Sequence, residues 1–466
     1  MLDMKNEPFP IRLAIRLLLD NVSYSNALPN WSDTLVIDYS ARENRISTML
    51  DRYLAGDTPQ KALEISLPKK SGDSDIWIVP SVNDQIVLQS CVSAIAEIIE
   101  KRCLDPDIVF SCRLNTDPKH LAFLSNQVNA WKNFQSQTQE RCALNHCVLQ
   151  VDIKSAYESV NFEAFSKFIY ASTDSHPAAK ILVSLLKAFS ETTKGIPFIN
   201  DSVFFLGNAY FSEVDKILRS HNCKFIRFVD DYRIFGPSTA ELEAILSVLR
   251  VDLHKMGFDI NDKKLKLGTG EDYLNAMAKL KYEVIPRSQY AHTSANITSL
   301  DVSGIFENIF ACLKNPDEKL HRGFGRMFMG LLSSMRVHAS FSRARGDTNL
   351  QPEGEFSDLL VQSPEALELI VERLEEYRTG PQNDWKLIWV LYLCKSIPEE
   401  SKKKSELISK IFDLIDEIQQ SPALDPVARL WAIRTTADRT PEEALRLVEY
   451  VHGLEYLEAG RAWHGL

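Results

Sequence analysis

Lys224-Phe225-Ile226-Arg227-Phe228-Val229-Asp230-Asp231-Tyr232-Arg233-Ile234-Phe235-Gly236 reads as two short strands joined at an acidic pair. Lys224 to Val229 and Tyr232 to Phe235 are rich in β-branched and aromatic residues, so the aspartates fall at the turn of a tight hairpin. Roughly 80 residues earlier, Cys147-Val148-Leu149-Gln150-Val151-Asp152-Ile153 alternates with period two. Val148, Gln150 and Asp152 then share one face of a strand, and Leu149, Val151 and Ile153 the other. Asp152 can look into a cleft while its neighbours anchor a sheet. Carboxylates at a strand end and at a neighbouring hairpin tip suit two divalent cations about 4 Å apart, one activating a hydroxyl and one holding a triphosphate. Hard oxygen donors favour magnesium, with manganese as its substitute.

The rest of the composition bounds this reading. A chain of 466 residues, 45% hydrophobic and 25% charged, has the make-up of a water-soluble protein of two or three domains. The start, Met1-Leu2-Asp3-Met4-Lys5-Asn6-Glu7, lacks the basic flank and apolar run of a signal peptide, and no stretch has the roughly 18 apolar residues of a membrane span. A cytoplasmic protein is expected. The eight cysteines are scattered without a CxxC pair, and Cys142, His146 and Cys147 lack the second half of a zinc site, which leaves reduced core thiols. A net charge of -10 is unusual for a protein that grips phosphates, but about -7 of it lies after residue 290. The first 290 residues are near balance and leave room for a basic channel. The overall acidity argues against a long grip on a duplex.

The periodicity predicts helices over Ile11–Leu19 and Ser40–Leu54, a polar turn over Leu67–Asp75, a strand Ile76–Val79 stopped by Pro80, and an amphipathic helix from Asn83 to Lys101. Beyond residue 290, helical patterns recur near 364–378, 385–396, 403–420, 425–437 and 441–453. Their pairing suggests a stacked, HEAT-like helical repeat, although the period is irregular. Arg343–Glu355, rich in Gly, Asp, Asn and Gln, reads as a loop. The expectation is an α+β fold with a mixed domain over 1–290 and an all-α domain over 291–466.

Several motifs in order resemble one family. Asp152-Ile153-Lys154-Ser155-Ala156-Tyr157 resembles motif A of reverse transcriptases, and Phe228-Val229-Asp230-Asp231 resembles motif C. Gly195-Ile196-Pro197 and Leu206-Gly207-Asn208 resemble the ends of motif B, and Met256-Gly257-Phe258-Asp259-Ile260-Asn261-Asp262-Lys263-Lys264 resembles motif D. Upstream, Trp77-Ile78-Val79-Pro80 through Gln89 and Phe110-Ser111-Cys112-Arg113 resemble fingers motifs. The resemblance implies an antiparallel palm sheet with helices and fingers. It implies that Asp152 and Asp230 ligate both metals with the Ile153 carbonyl, and that Asp231 is a weaker or outer ligand. Tyr157 would lie beneath the incoming sugar, with Gly195 and Pro197 beside the nucleotide. A ring there would clash with a ribose 2′-hydroxyl, so deoxynucleotides are the expected substrate. Lys264 matches the lysine that could protonate departing pyrophosphate, and Lys69 and Lys70 could neutralise the triphosphate. Solvated surface lysines explain these three charges equally well.

The chain also departs from the family pattern. Phe198-Ile199 replaces the usual Gln-Gly after the motif B proline, Asp75 stands at a fingers arginine, and Gln85 replaces the arginine of an Asp-Arg pair. Template handling is what these changes touch. Intact aspartates, degraded template motifs and a helical C-terminal region are similar to the abortive-infection (Abi) group of bacterial reverse transcriptases. That resemblance implies antiphage defence, DNA synthesis without a template, priming from a protein tyrosine, single-stranded DNA left covalently attached, and a trimeric or hexameric homo-oligomer. Tyr39, in the charged segment Asp38-Tyr39-Ser40-Ala41-Arg42, is the first candidate primer. The competing readings are an RNA-templated reverse transcriptase and a catalytically idle palm that scaffolds a defence complex.

Overall fold

The computed structural model describes residues 8–20, 39–59, 61–68, 74–117, 122–144, 147–189, 195–197, 199–275, 302–314, 352–379, 384–398, 401, 405–424 and 426–437. The first elements in chain order are α1 (Ile11–Asp20), α2 (Tyr39–Ala55), β1 (Leu63–Pro68), β2 (Ser74–Val79), α3 (Val82–Glu100), α4 (Gln127–Leu144) and β3 (Cys147–Asp152). Next come α5 (Phe162–Ser172), α6 (Pro177–Phe189), α7 (Asp201–Tyr210), α8 (Ser212–Ser220), β4 (Lys224–Phe228), β5 (Asp231–Gly236), α9 (Thr239–Lys255) and β6 (Lys266–Thr269). The last are α10 (Val302–Lys314), α11 (Pro352–Gln362), α12 (Pro364–Tyr377), α13 (Asp384–Cys394), α14 (Glu406–Gln420) and α15 (Pro426–Ala437). Among the described residues no helix is long and apolar enough to cross a membrane.

The chain divides into two compact units, and the division differs from one cut near 290. The first unit takes its described residues from Met1–Asp20, Ser40–Ala62 and Val82–Ile285. The second takes them from Asn21–Tyr39, Leu63–Ser81 and Pro286–Leu466. The β1–β2 hairpin thus groups with the C-terminal helices. A lone two-stranded hairpin cannot bury a face by itself, and this one packs on α13 and α15.

In the first unit, an antiparallel sheet has the order β4-β5-β3-β6. Register sets the faces: Asp152 pairs with Asp231, Gln150 with Arg233 and Val148 with Phe235. On that side α4 lays Phe134 and Cys142 into a core with Val148, Ile226, Phe235 and Tyr273. On the opposite side Leu242 of α9 lies against Gly236, and α9 packs on β3, β5 and β6. Helix starts follow the chain's own caps. The side chains of Asn161, Asn200 and Ser238 accept from the amides of Ala164, Ser202 and Glu241 at 3.0, 3.2 and 3.2 Å.

In the second unit, α12 packs on α14 and α13 on α15. The sequence of α13, Asp-Trp-Lys-Leu-Ile-Trp-Val-Leu-Tyr-Leu-Cys, is apolar all round, as a helix covered on all sides must be. Trp389 and Trp431 are fully buried, and the Tyr392 and Trp431 rings meet edge to face at 5.7 Å. Four of the five expected C-terminal helices are present within about three residues of their expected bounds. The fifth, 441–453, lies outside the described residues. Part of the expected loop at 343–355 is instead the start of α11, because Pro352 at a first helical position favours a helix.

Candidate active site

Phe228 pairs with Asp231, so Val229 and Asp230 are left as the two residues of the hairpin turn. Val229 has φ 56°, a left-handed conformation that a β-branched residue adopts at a cost of about 1–3 kcal/mol. Two groups hold it there. Its amide donates to Ser111 Oγ at 2.6 Å, and its carbonyl accepts from Arg227 Nη1 at 2.9 Å.

The end of β3 is docked to this turn and to the stretch after α9. The Ile153 amide donates to the Asp230 carbonyl at 3.3 Å, the Lys154 amide to Asp259 O at 2.8 Å, and the Asn261 amide to Asp152 O at 2.8 Å. None of these bonds uses the Ile153 carbonyl. Asp152 Oδ1 accepts from Lys264 Nζ at 2.8 Å and Oδ2 from Asn261 Nδ2 at 3.1 Å. Asn261 is a residue that sequence reasoning missed. It stood inside the quoted motif D stretch, but spacing alone does not say which of its polar side chains turns towards Asp152.

The electrostatics separate the three carboxylates. Burial, and then the charge of Asp152, push the Asp230 carboxyl up to about 7. Burial also raises Asp231, against the opposing pull of Arg233, which holds its carboxylate through Nη1 and Nη2. The Arg233 head is fixed in turn by Tyr273, whose hydroxyl accepts from Nε at 2.8 Å, and lies over the Phe134 ring. Burial pulls the Lys264 ammonium down, but its hydrogen bond to Asp152 and the charges of Asp152, Asp230 and Asp231 together outweigh that and leave it above its ordinary value.

The expected trio is therefore brought together by the backbone but its side chains are spent differently. Asp231 serves Arg233, and among the described residues no group of three or more His, Cys, Asp or Glu side chains is arranged to hold a metal ion. Asp152 and Asp230 nonetheless fit a divalent cation chemically. They offer hard oxygens, and a nearby cation would favour the ionised Asp230 against the burial and the Asp152 charge that raise its carboxyl.

The other expected residues are placed as follows. Tyr157 is buried, its hydroxyl donates to Phe204 O at 3.3 Å, and its ring meets those of Phe204 and Phe211 edge-on. Gly207 makes room for it: a Cβ there would lie 2.5 Å from the ring. Gly195, at φ 85°, is pressed against motif A, since a Cβ would fall 2.1 Å from the Tyr157 carbonyl. Gly195 and Pro197 are both buried. Lys264 is exposed to solvent and at the same time bonded to Asp152. Lys69 and Lys70 lie outside the described residues, as does the side chain of Tyr39, whose backbone opens α2.

Residues 68–282 match the family model described as reverse transcriptase (RNA-dependent DNA polymerase). The chain carries a reverse-transcriptase domain. It is accordingly a nucleotidyltransferase of the RNA-directed DNA polymerase kind, and the matched span contains Asp152, Asp230, Asp231, Asn261 and Lys264. No curated protein matches the chain. Among solved structures, a telomerase from Candida tropicalis in complex with the TWJ fragment of telomeric RNA is 13% identical. The match covers 80% of this chain and 68% of that one at a TM-score of 0.35, too loose a likeness to carry any argument.

The reverse-transcriptase domain also contains a group that the sequence reading quoted without assigning. Arg227 is fully buried between β4 and the α7–α8 helices, with Asp215 bound through Nε at 2.9 Å and Nη2 at 2.7 Å. A lone arginine in a strand pattern reads as an edge charge, and only the packing of α8 on β4 reveals its partner.

Proposed function

We propose that this protein is a magnesium-dependent DNA polymerase that joins deoxynucleotides without copying a template, primed by a protein tyrosine, in antiphage defence. The observation that carries the polymerase reading is the docking of the motif A strand end onto the motif C turn, through the Asp152–Asp231 pairing and the Ile153–Asp230 hydrogen bond. Bound to Asp152, Asp230 and the Ile153 carbonyl, two divalent ions would activate the attacking hydroxyl and neutralise charge on the transferred phosphoryl.

The chain's own residues do the rest. Asp230 gives up its proton when the site is loaded, and Asn261 keeps one Asp152 oxygen oriented. Lys264, within reach of Asp152, is placed to move from that carboxylate to a departing phosphate and give it a proton. Tyr157 is held rigidly by Gly207, Phe204 and Phe211, which suits a ring that rejects a 2′-hydroxyl. Asp231 contributes as an outer group through Arg233, and Lys69 and Lys70 as triphosphate contacts.

Template-free synthesis is supported by Phe198-Ile199 in place of Gln-Gly, with Ile199 buried. Tyr157 and Tyr232, which feel the Asp230 charge, are buried and their hydroxyls are pushed well above the ordinary tyrosine value, so they are poor primers. A priming hydroxyl would come from elsewhere, with Tyr39 the first candidate. The same reading includes covalently attached single-stranded DNA, a trimeric or hexameric assembly, a cytoplasmic location and a HEAT-like repeat in the C-terminal helices.

The test is incubation of purified protein with magnesium and labelled deoxynucleotides, without template or primer. Label that stays on the protein through denaturation, and is lost in Asp230→Ala, is the expected result. Copying of RNA is the second reading, favoured by the family model's description. Label that appears only when RNA is added, with a product complementary to it, would replace the first reading with the second.

A further inference from the structure

The strained turn at Val229 is tied to a closed network of buried polar side chains. All five N–H donors of Arg227 have acceptors. Nε and one Nη2 hydrogen go to Asp215, the other Nη2 hydrogen to Asn208 O at 3.2 Å, and Nη1 to Asn208 Oδ1 at 2.7 Å and Val229 O at 2.9 Å. Asn208 Nδ2 donates to Ser111 O at 2.9 Å, and Ser111 Oγ donates to Asn208 Oδ1 at 3.3 Å while accepting the Val229 amide.

Ser111 is itself held from both sides. The Phe110 amide donates to Arg227 O at 3.0 Å, the Arg227 amide to Ile108 O at 2.7 Å, and the Cys112 amide to Gln127 Oε1 at 3.0 Å. Ser111, Asn208, Asp215 and Arg227 are each at most 2% exposed. A charged network this completely satisfied is geometrically fixed, because moving any member would leave a buried group without a partner.

We propose that Ser111, Asn208, Asp215 and Arg227 are positioning residues that hold Val229 in its left-handed conformation and so aim the adjacent Asp230 carboxylate towards Asp152. None of the four touches the reacting groups. Ser111 and Arg227 grip the two polar atoms of the Val229 backbone, and Asn208 and Asp215 fix Arg227 and Ser111. The proposal rests on the reading of Asp152 and Asp230 as the metal-holding pair. It assigns a job to the fingers serine and to the asparagine that ends motif B, which that reading leaves idle.

The test is a double-mutant cycle in the full chain with Ser111→Ala, Val229→Gly and both together, and Asp230→Ala as a control. Ser111→Ala takes away the acceptor for the Val229 amide. Glycine adopts φ 56° without being held, so Val229→Gly should make the serine dispensable. In metal-free protein, Ser111→Ala is expected to lower Tm by about 2–4 °C, and by clearly less when Val229 is glycine.

Mn2+ affinity, measured by electron paramagnetic resonance, is expected to weaken about tenfold in Ser111→Ala and to recover in the double variant. Nucleotide incorporation should lose kcat with KM little changed. Equal losses in the two backgrounds overturn the proposal, as does an Mn2+ affinity that Ser111→Ala leaves intact while Asp230→Ala abolishes it. If Asp230→Ala also leaves Mn2+ binding intact, the metal-site reading has failed, and the positioning role falls with it.

Discussion

Two arginines on neighbouring strands of the same sheet, Arg227 and Arg233, each pair with an aspartate and face opposite ways. Arg227 and Asp215 have no exposed surface at all, whereas the Asp231 side chain that meets Arg233 keeps 20% of its own. Register explains the split, since Arg227 pairs across the ladder with Tyr232 and therefore points away from the face that carries Asp231 and Arg233. On the closed face every Arg227 donor is spent on protein atoms, and the pair can only hold shape. On the open face the arginine neutralises a carboxylate beside Asp152, in competition with any cation that arrives. Similar chemistry thus serves as a fixture on one side and as a counter-charge on the other.

The largest effect expected bears on the open face. Asp230→Asn should lower nucleotide incorporation by at least about 1,000-fold, because charge on the transferred phosphoryl loses its main stabiliser. Its metal-free Tm should not fall, since a crowded carboxylate has been neutralised; a lowered Tm would show that Asp230 is structural. On the closed face, Arg227→Met strands Asp215 without a partner and should cost about 3–5 kcal/mol in denaturant unfolding, much of it recovered by adding Asp215→Leu.

Arg233→Met should cost less, about 1–3 kcal/mol, and should tighten Mn2+ binding severalfold in calorimetry as Asp231 is released. Equal costs for the two arginines would erase the contrast between the faces. The smallest effect is on pH dependence. The Asp230 carboxyl lies near 7 when folded and about 4 when unfolded, so the native state binds the extra proton between those values. Metal-free stability contributed by this group is therefore greatest at low pH and is lost as pH rises through 7. A divalent cation binds the ionised form, so the Tm increment from Mg2+ should be larger at pH 8 than at pH 6. A pH-independent increment would remove Asp230 from the ligand set.

Much of the site was legible because its elements are local. Period-two alternation around Asp152 and the apolar runs flanking Asp230-Asp231 announce strands and a turn within a dozen residues, but the register sets the turn one residue earlier, at Val229-Asp230, because Asp231 already pairs with Phe228 and Asp152. What stayed hidden depends on long-range packing. Asn261 and Lys264 reach Asp152 from more than 100 positions away, and Ser111 reaches Val229 from 118. Tyr157 shows the same division. Its offset from Asp152 could be counted, but the cradle of Gly207, Phe204 and Phe211 could not.

From the amino-acid order alone came the strand and helix patterns, the acidic turn and the helical C-terminal texture, all of which follow from side-chain periodicity along a few residues. Tertiary structure decided that Asp231 belongs to Arg233, that Arg227 is a buried fixture, and that the β1–β2 hairpin sides with α13 and α15. The reason is physical. Periodicity tells which face of an element is apolar, but the partner of a charge or an edge is settled only when distant segments exclude water together, and burial then makes an unpaired group too costly to leave.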